Sequence, residues 1–166
     1  MRSSITQLAG LATVVVCACA EPAPRVGEAT GNAGRSAWLV PGDPWSISIG
    51  SLEAGTACER IDELQGIDGQ VANFTLTVWN APIAPGTIAL MTLDPAAVPS
   101  SPVVNITSYT SATTLGGYDP TARFTGTLQI DAVSDDGVHG VLTASGSTES
   151  SPVVELATTF RAPSCD

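Results

Sequence analysis

The chain has 166 residues, 16 acidic side chains and six arginines but no lysine, and its formal net charge is −10 at pH 7. Such a surface repels phosphate backbones, so we expect no nucleic-acid partner and no charge-driven docking on an anionic membrane. Serine, threonine, glycine and proline are abundant while glutamine and lysine are scarce or absent, which favours strands joined by turns over helices.

Residues 1–20 have the pattern of a secretory signal peptide. Arg2 precedes an apolar run from Leu8 to Val16, which is too short to span a bilayer, and small residues follow it. The pattern Ala18-Cys19-Ala20 fits cleavage by a signal peptidase, which would discard both leader cysteines.

The residues Val16-Cys17-Ala18-Cys19 also resemble the lipobox of bacterial lipoproteins, in which a cysteine follows a small residue and an aliphatic residue lies three positions before it. By this resemblance Cys19 becomes the lipidated first residue. Because Ala20 is not aspartate, the resemblance implies anchoring in the outer membrane. Simple cleavage is the alternative, and it would leave the protein periplasmic or extracellular. The residues beyond the leader resemble no domain family.

Residues 21–35 are rich in proline, glycine, alanine and glutamate, and this composition predicts a disordered tether. The remaining residues, 36–166, are expected to form a single domain.

Alternation of apolar and polar residues predicts strands throughout this domain. The clearest part is a three-stranded meander over residues 123–160, in which Asp135-Asp136-Gly137 supplies the first turn. Further strands are predicted at residues 36–40, 45–49, 71–80, 87–93 and 103–110. The expected fold is therefore all-β, an antiparallel β-sandwich of about seven or eight strands or a barrel-like relative, with at most one short helix near residues 56–65.

Two short patterns recur at an interval of fifty residues. Phe74-Thr75-x-Thr77-Val78 returns as Phe124-Thr125-x-Thr127-Leu128, and Ser100-Ser101-Pro102 returns as Ser150-Ser151-Pro152. They indicate either two similar three-stranded units or a coincidence of biased composition.

Cys58 and Cys165 are the two cysteines outside the leader. In an oxidising compartment such a pair predicts a disulfide that ties the end of the chain to an early loop. Metal binding is a poor alternative, because His139 is the only histidine available as a further ligand.

No catalytic pattern accompanies these features. A nucleophile needs a neighbouring base, yet His139 is the sole histidine and is expected on the exposed face of its strand. Motifs for hydrolases, phosphate loops, zinc proteases and dinucleotide binding are missing from the sequence. We therefore expect neither an enzyme nor a cofactor. Asp131, Asp135 and Asp136 could offer oxygens to Ca²⁺, although a plain hairpin turn explains the last two equally well.

Two aromatic residues are candidates for ligand contact. Trp79 falls on the threonine-bearing face of its predicted strand, and Tyr118 lies in a turn-forming stretch. Either ring could stack on a sugar or a partner protein, or simply pack against its own loop. The resulting hypothesis is a lipid-anchored cell-envelope protein that acts as a non-catalytic binding or structural module. The alternatives are a carbohydrate-binding accessory domain and, third, an enzyme of unrecognised type.

Overall fold

The structure is a computed structural model of the chain, and it describes residues 23–61, 63–64, 72–93, 99–109, 123–147 and 153–165. Nine β-strands account for nearly all of the regular structure in these ranges, so the predicted all-β class is confirmed. In chain order they are β1 (Gly27–Gly31), β2 (Ser36–Val40), β3 (Trp45–Gly50), β4 (Ala72–Trp79), β5 (Gly86–Met91), β6 (Val103–Tyr109), β7 (Arg123–Ser134), β8 (Gly137–Ser147) and β9 (Val154–Ala162).

All nine strands belong to one continuous sheet that closes on itself. The strand order is β1-β2-β3-β4-β6-β5-β7-β8-β9, and β1 pairs with β9 to complete the ring. Neighbours are antiparallel except for β5 and β6, which are parallel. The architecture thus follows the barrel-like alternative rather than two separate sheets. Closure gives the outermost strands partners for their backbone N–H and C=O groups, which an open sheet would leave unpaired.

Strand β1 lies inside the segment for which the sequence predicts a disordered tether. Its first residues pair with β2, with Gly27 opposite Ala37, and its last residues pair with β9, with Ala29 opposite Phe160. The tether prediction over residues 21–35 therefore differs from the structure. The reason is that glycine and alanine, which look like linker residues, here let β1 approach its neighbours closely while Ala29 is buried in the core.

The interior of the ring holds the main hydrophobic core, and alternation along each strand selects its members. Leu76, Leu128 and Leu142 are fully buried there, as expected for strands with one apolar face. The rings of Phe74 and Phe124 meet edge to face, with their centroids 6.4 Å apart. Burying each such side chain contributes about 1.5–3 kcal/mol relative to exposing it.

A glycine lets β7 and β8 pack with little space between their backbones. Gly126 has a φ of +154°, and a Cβ at this position would lie 2.1 Å from the carbonyl oxygen of Thr143. Gly86 in β5 has nearly the same φ, +155°, but no atom lies within 4 Å of the position that its Cβ would take. The two glycines therefore share a backbone conformation and differ in their surroundings.

A second, smaller hydrophobic cluster lies outside the ring. Trp38 points away from the interior, because its neighbours Ala37 and Leu39 belong to the main core. It is buried with Leu52, Ile61 and other residues of the loop after β3. Arg60, Ile61, Glu63 and Leu64 are helical, which matches the expectation of at most one short helix near residues 56–65.

The predicted disulfide joins Cys58 to Cys165 at the edge of this outer cluster. The two residues are 107 positions apart in the sequence, and their Cα atoms are 5.4 Å apart. Backbone hydrogen bonds hold the C-terminal segment in place: Leu39 donates its N–H to the oxygen of Pro163, and Cys165 donates to the oxygen of Leu39, each at 2.8 Å. The disulfide therefore fastens the loop and the chain end over the same side of the sheet.

The fifty-residue recurrence does not correspond to two similar units. Strands β7, β8 and β9 pair consecutively, whereas β4 pairs with β6 and β5 pairs with β7.

None of the described residues forms a long apolar helix of the kind that crosses a bilayer.

Candidate functional site

Trp79 occupies the last position of β4, opposite Val103 of β6. It shares the outward face with Thr75 and Thr77, as the sequence predicts, but it is half-buried rather than fully exposed. Its Nε1 atom is buried and has no hydrogen-bond partner in the described parts of the chain. Tyr118 lies outside the described residues, so the structure does not bring the two candidate aromatic residues together.

We expect Trp45→Phe to lower the free energy of unfolding by about 1–2 kcal/mol more than Trp79→Phe does. Both changes remove an indole N–H, but that of Trp45 donates to the Ala81 carbonyl oxygen at 2.7 Å, and its loss leaves this oxygen unpaired. Urea unfolding of the two variants beside the wild type measures the difference. Equal costs would contradict the assigned hydrogen bonding.

The three aspartates considered for calcium lie at the end of β7 and in the turn that leads to β8, and all are exposed. Asp131 accepts a hydrogen bond from Nε2 of Gln129 at 2.6 Å, and Asp136 forms an ion pair with Arg161 at 3.2 Å. Across the residues that the structure describes, no three His, Cys, Asp or Glu side chains group as a metal site would require. Cys19, the predicted lipidation site, lies outside those residues.

His139 faces outward from β8, on the side opposite Val138 and Leu142, as alternation predicts. It is half-buried rather than exposed, and its strand neighbours at this level are Ala132 and Arg161. Its Nε2 atom is buried and has no hydrogen-bond partner among the residues that the structure describes.

An open cavity of about 280 Å³ lies where β1, the loop after β3 and the end of β9 meet. Residues 25–28 form one side, Ala54 and Gly55 a second, and Arg161 with Pro163 a third. Two backbone hydrogen bonds hold the first two sides together: Gly55 donates to the oxygen of Val26 at 2.9 Å, and Val26 donates to the oxygen of Thr56 at 2.8 Å. The volume is close to the lower limit for small-molecule sites.

Two of the six arginines line this cavity, although the protein as a whole is strongly acidic. Arg25 donates from Nη1 to the carbonyl oxygen of Gly55 at 2.8 Å, and Nη2 of Arg161 forms an ion pair with Asp136 at 3.2 Å. Each contact engages one guanidinium nitrogen, and a guanidinium has five N–H donors in total. Both side chains can therefore keep an anchoring contact and still donate to a ligand.

Sequence reasoning missed this cavity because its two arginines are far apart in the chain. Arg25 falls in the segment expected to be a tether, and Arg161 falls in the last strand. Only the closure of the ring between β1 and β9 brings them together. No local sequence motif indicates that the two strands pair.

In structural terms the chain is a closed all-β domain with a disulfide and an arginine-lined surface cavity. No family model, no curated protein and no solved structure matches the chain.

Proposed function

We propose that this protein is a secreted binding or structural module of the bacterial cell envelope, without catalytic activity, held at the outer membrane by a lipid on Cys19. The observation that carries the proposal is the Cys58–Cys165 disulfide, which indicates an oxidising, non-cytoplasmic compartment. The signal-like leader and its lipobox-like residues support the same location from the sequence.

A binding role is supported by the way the described residues are arranged. The closed sheet provides a rigid framework, and two arginine residues line the cavity beside β1. Rigid elements hold ligand-contacting groups better than free loops do. Carbohydrate binding through Trp79 and Tyr118 stays a prediction of the sequence, and the partial burial of Trp79 favours packing for that residue.

Lipid attachment is tested by metabolic labelling with palmitate in a bacterial host. We expect label on the wild-type protein and none on Cys19→Ala, because the thioether to the lipid needs that sulfur. Cys17→Ala is the matched control, since it changes the neighbouring cysteine and should keep the label. An unlabelled wild type, or a labelled Cys19→Ala variant, would contradict the anchor.

A further inference from the structure

The arginines beyond the leader differ in what surrounds them. Arg60 lies 3.9 Å from Glu63 on the surface, and Arg35 donates from Nε to the oxygen of Ser51 at 2.7 Å. Arg25 and Arg161, in contrast, both line the cavity beside β1. In a chain with net charge −10 the cavity thus brings two arginine residues together, and arginine is a side chain well suited to pairing with oxyanions.

The backbone explains why Arg25 and Arg161 line the same cavity. Gly27 lies against β9, and a Cβ at Gly27 would be only 2.0 Å from the carbonyl oxygen of Arg161. This close approach places the chain around Arg25 beside the end of β9.

Apart from Glu28, the rest of the lining is small and apolar. Val26 is buried at the cavity and Pro163 is half-buried, while Ala54 and Gly55 contribute little side-chain bulk. A ligand that fits this lining has a compact apolar part as well as an anionic group. Water or a simple ion alone would leave the apolar contacts unused.

We propose that this cavity binds a small organic oxyanion, with the carboxylate or phosphate oxygens of the ligand accepting hydrogen bonds from Arg25 and Arg161. Arginine suits this role because its planar array of N–H donors matches both groups. The proposal gives the binding module a ligand class and rests on that proposed binding role, but it does not depend on the lipid anchor.

Glu28 sets a limit on the charge of the ligand. It lines the same cavity, and Asp136 already pairs with Arg161, so two carboxylates balance the formal charge of the two guanidinium groups. A singly charged ligand is therefore favoured over a doubly charged one. Removing the Glu28 charge should strengthen binding of any oxyanion, an effect that general destabilisation of the fold would not produce.

The test is calorimetric titration of the processed, disulfide-intact protein with acetate, glycerol 3-phosphate and inorganic phosphate, with uncharged glycerol as the reference. We expect saturable binding of an anion with a Kd of about 1 mM or lower, and none of glycerol. Arg25→Gln and Arg161→Gln should each weaken it about tenfold or more, the change expected when a charged hydrogen bond is lost. Arg60→Gln, the matched control, should leave it unchanged, and Glu28→Gln should tighten it.

A phospholipid headgroup and a free phosphate compound are separated by a second measurement. Vesicles containing phosphatidylglycerol are offered to a Cys19→Ala protein, which should carry no lipid of its own. If the protein is retained on the vesicles and the Arg25→Gln variant is not, the ligand is a phospholipid headgroup. If the protein binds glycerol 3-phosphate but not the vesicles, the ligand is a free phosphate compound.

Absence of saturable binding by every probe and vesicle overturns the proposal, and so does an equal loss of affinity in Arg60→Gln. That result would have no bearing on whether Cys19 carries the palmitate label. Failure of the oxyanion site is therefore distinguishable from failure of the envelope assignment.

Discussion

Loss of the Cys58–Cys165 disulfide is expected to lower the free energy of unfolding by about 4–5 kcal/mol. The cross-link spans 107 positions, so cutting it restores much conformational freedom to the unfolded chain. Domains are typically stable by only about 5–15 kcal/mol, so the loss takes a large share of the total. The expected result is a strong shift of the urea midpoint in the Cys58→Ala/Cys165→Ala double variant. Alanine is chosen because Cys165 is buried and a serine hydroxyl there would add a cost of its own.

The wild-type protein treated with a reductant serves as the control for this experiment, because it loses the bond but keeps both side chains. It should unfold near the midpoint of the double variant. A difference from the oxidised protein of less than about 1 kcal/mol would contradict the expected stabilisation, as this is well below the chain-entropy value. Two reactive thiols in the native, unreduced protein would contradict the bond itself.

Gly126→Ala is expected to lower the free energy of unfolding by about 3 kcal/mol or more. The new methyl group would meet the Thr143 carbonyl oxygen of β8 at 2.1 Å, and backbone atoms cannot rotate out of the way. Strands β7 and β8 would have to separate there or shift their register. Thermal and urea unfolding, with the sheet content followed by circular dichroism, measure the effect.

Gly86→Ala is the matched control, because its φ of +155° is almost the same but its surroundings are empty. It should lower the free energy of unfolding only by the strain of placing alanine at this φ, about 1–2 kcal/mol. Similar losses in both variants would mean that backbone conformation, and not the close approach of β7 to β8, determines the cost.

Strands with one buried face could be predicted from the sequence, and those without a clear apolar face could not. Leu128 and Ile130 of β7 alternate with Thr127 and Gln129, so both the strand and its buried face are evident. Strand β1 reads Gly-Glu-Ala-Thr-Gly, and its buried Ala29 is too small to give a signal. Closure of the ring depends on pairing the first strand with the last, which is a tertiary contact without a local pattern.

The candidate sites also differ in whether the sequence alone predicts them. The disulfide could be predicted because only Cys58 and Cys165 remain outside the leader, so the pairing needs no knowledge of the fold. The outward face of Trp79 followed from alternation, but its partial burial depends on neighbouring segments. The cavity needs Arg25 and Arg161 to meet across β1 and β9, and no spacing rule connects them.

Pairing between the first and last strands also constrains the time at which the molecule can fold. Strand β1 finds its second neighbour only when residues 154–162 are present, so the ring cannot close on a nascent chain that lacks them. Contacts of such high sequence separation belong to topologies that typically fold in milliseconds to seconds rather than microseconds. The backbone hydrogen bonds between β1 and β9 are therefore among the last that the sheet can form.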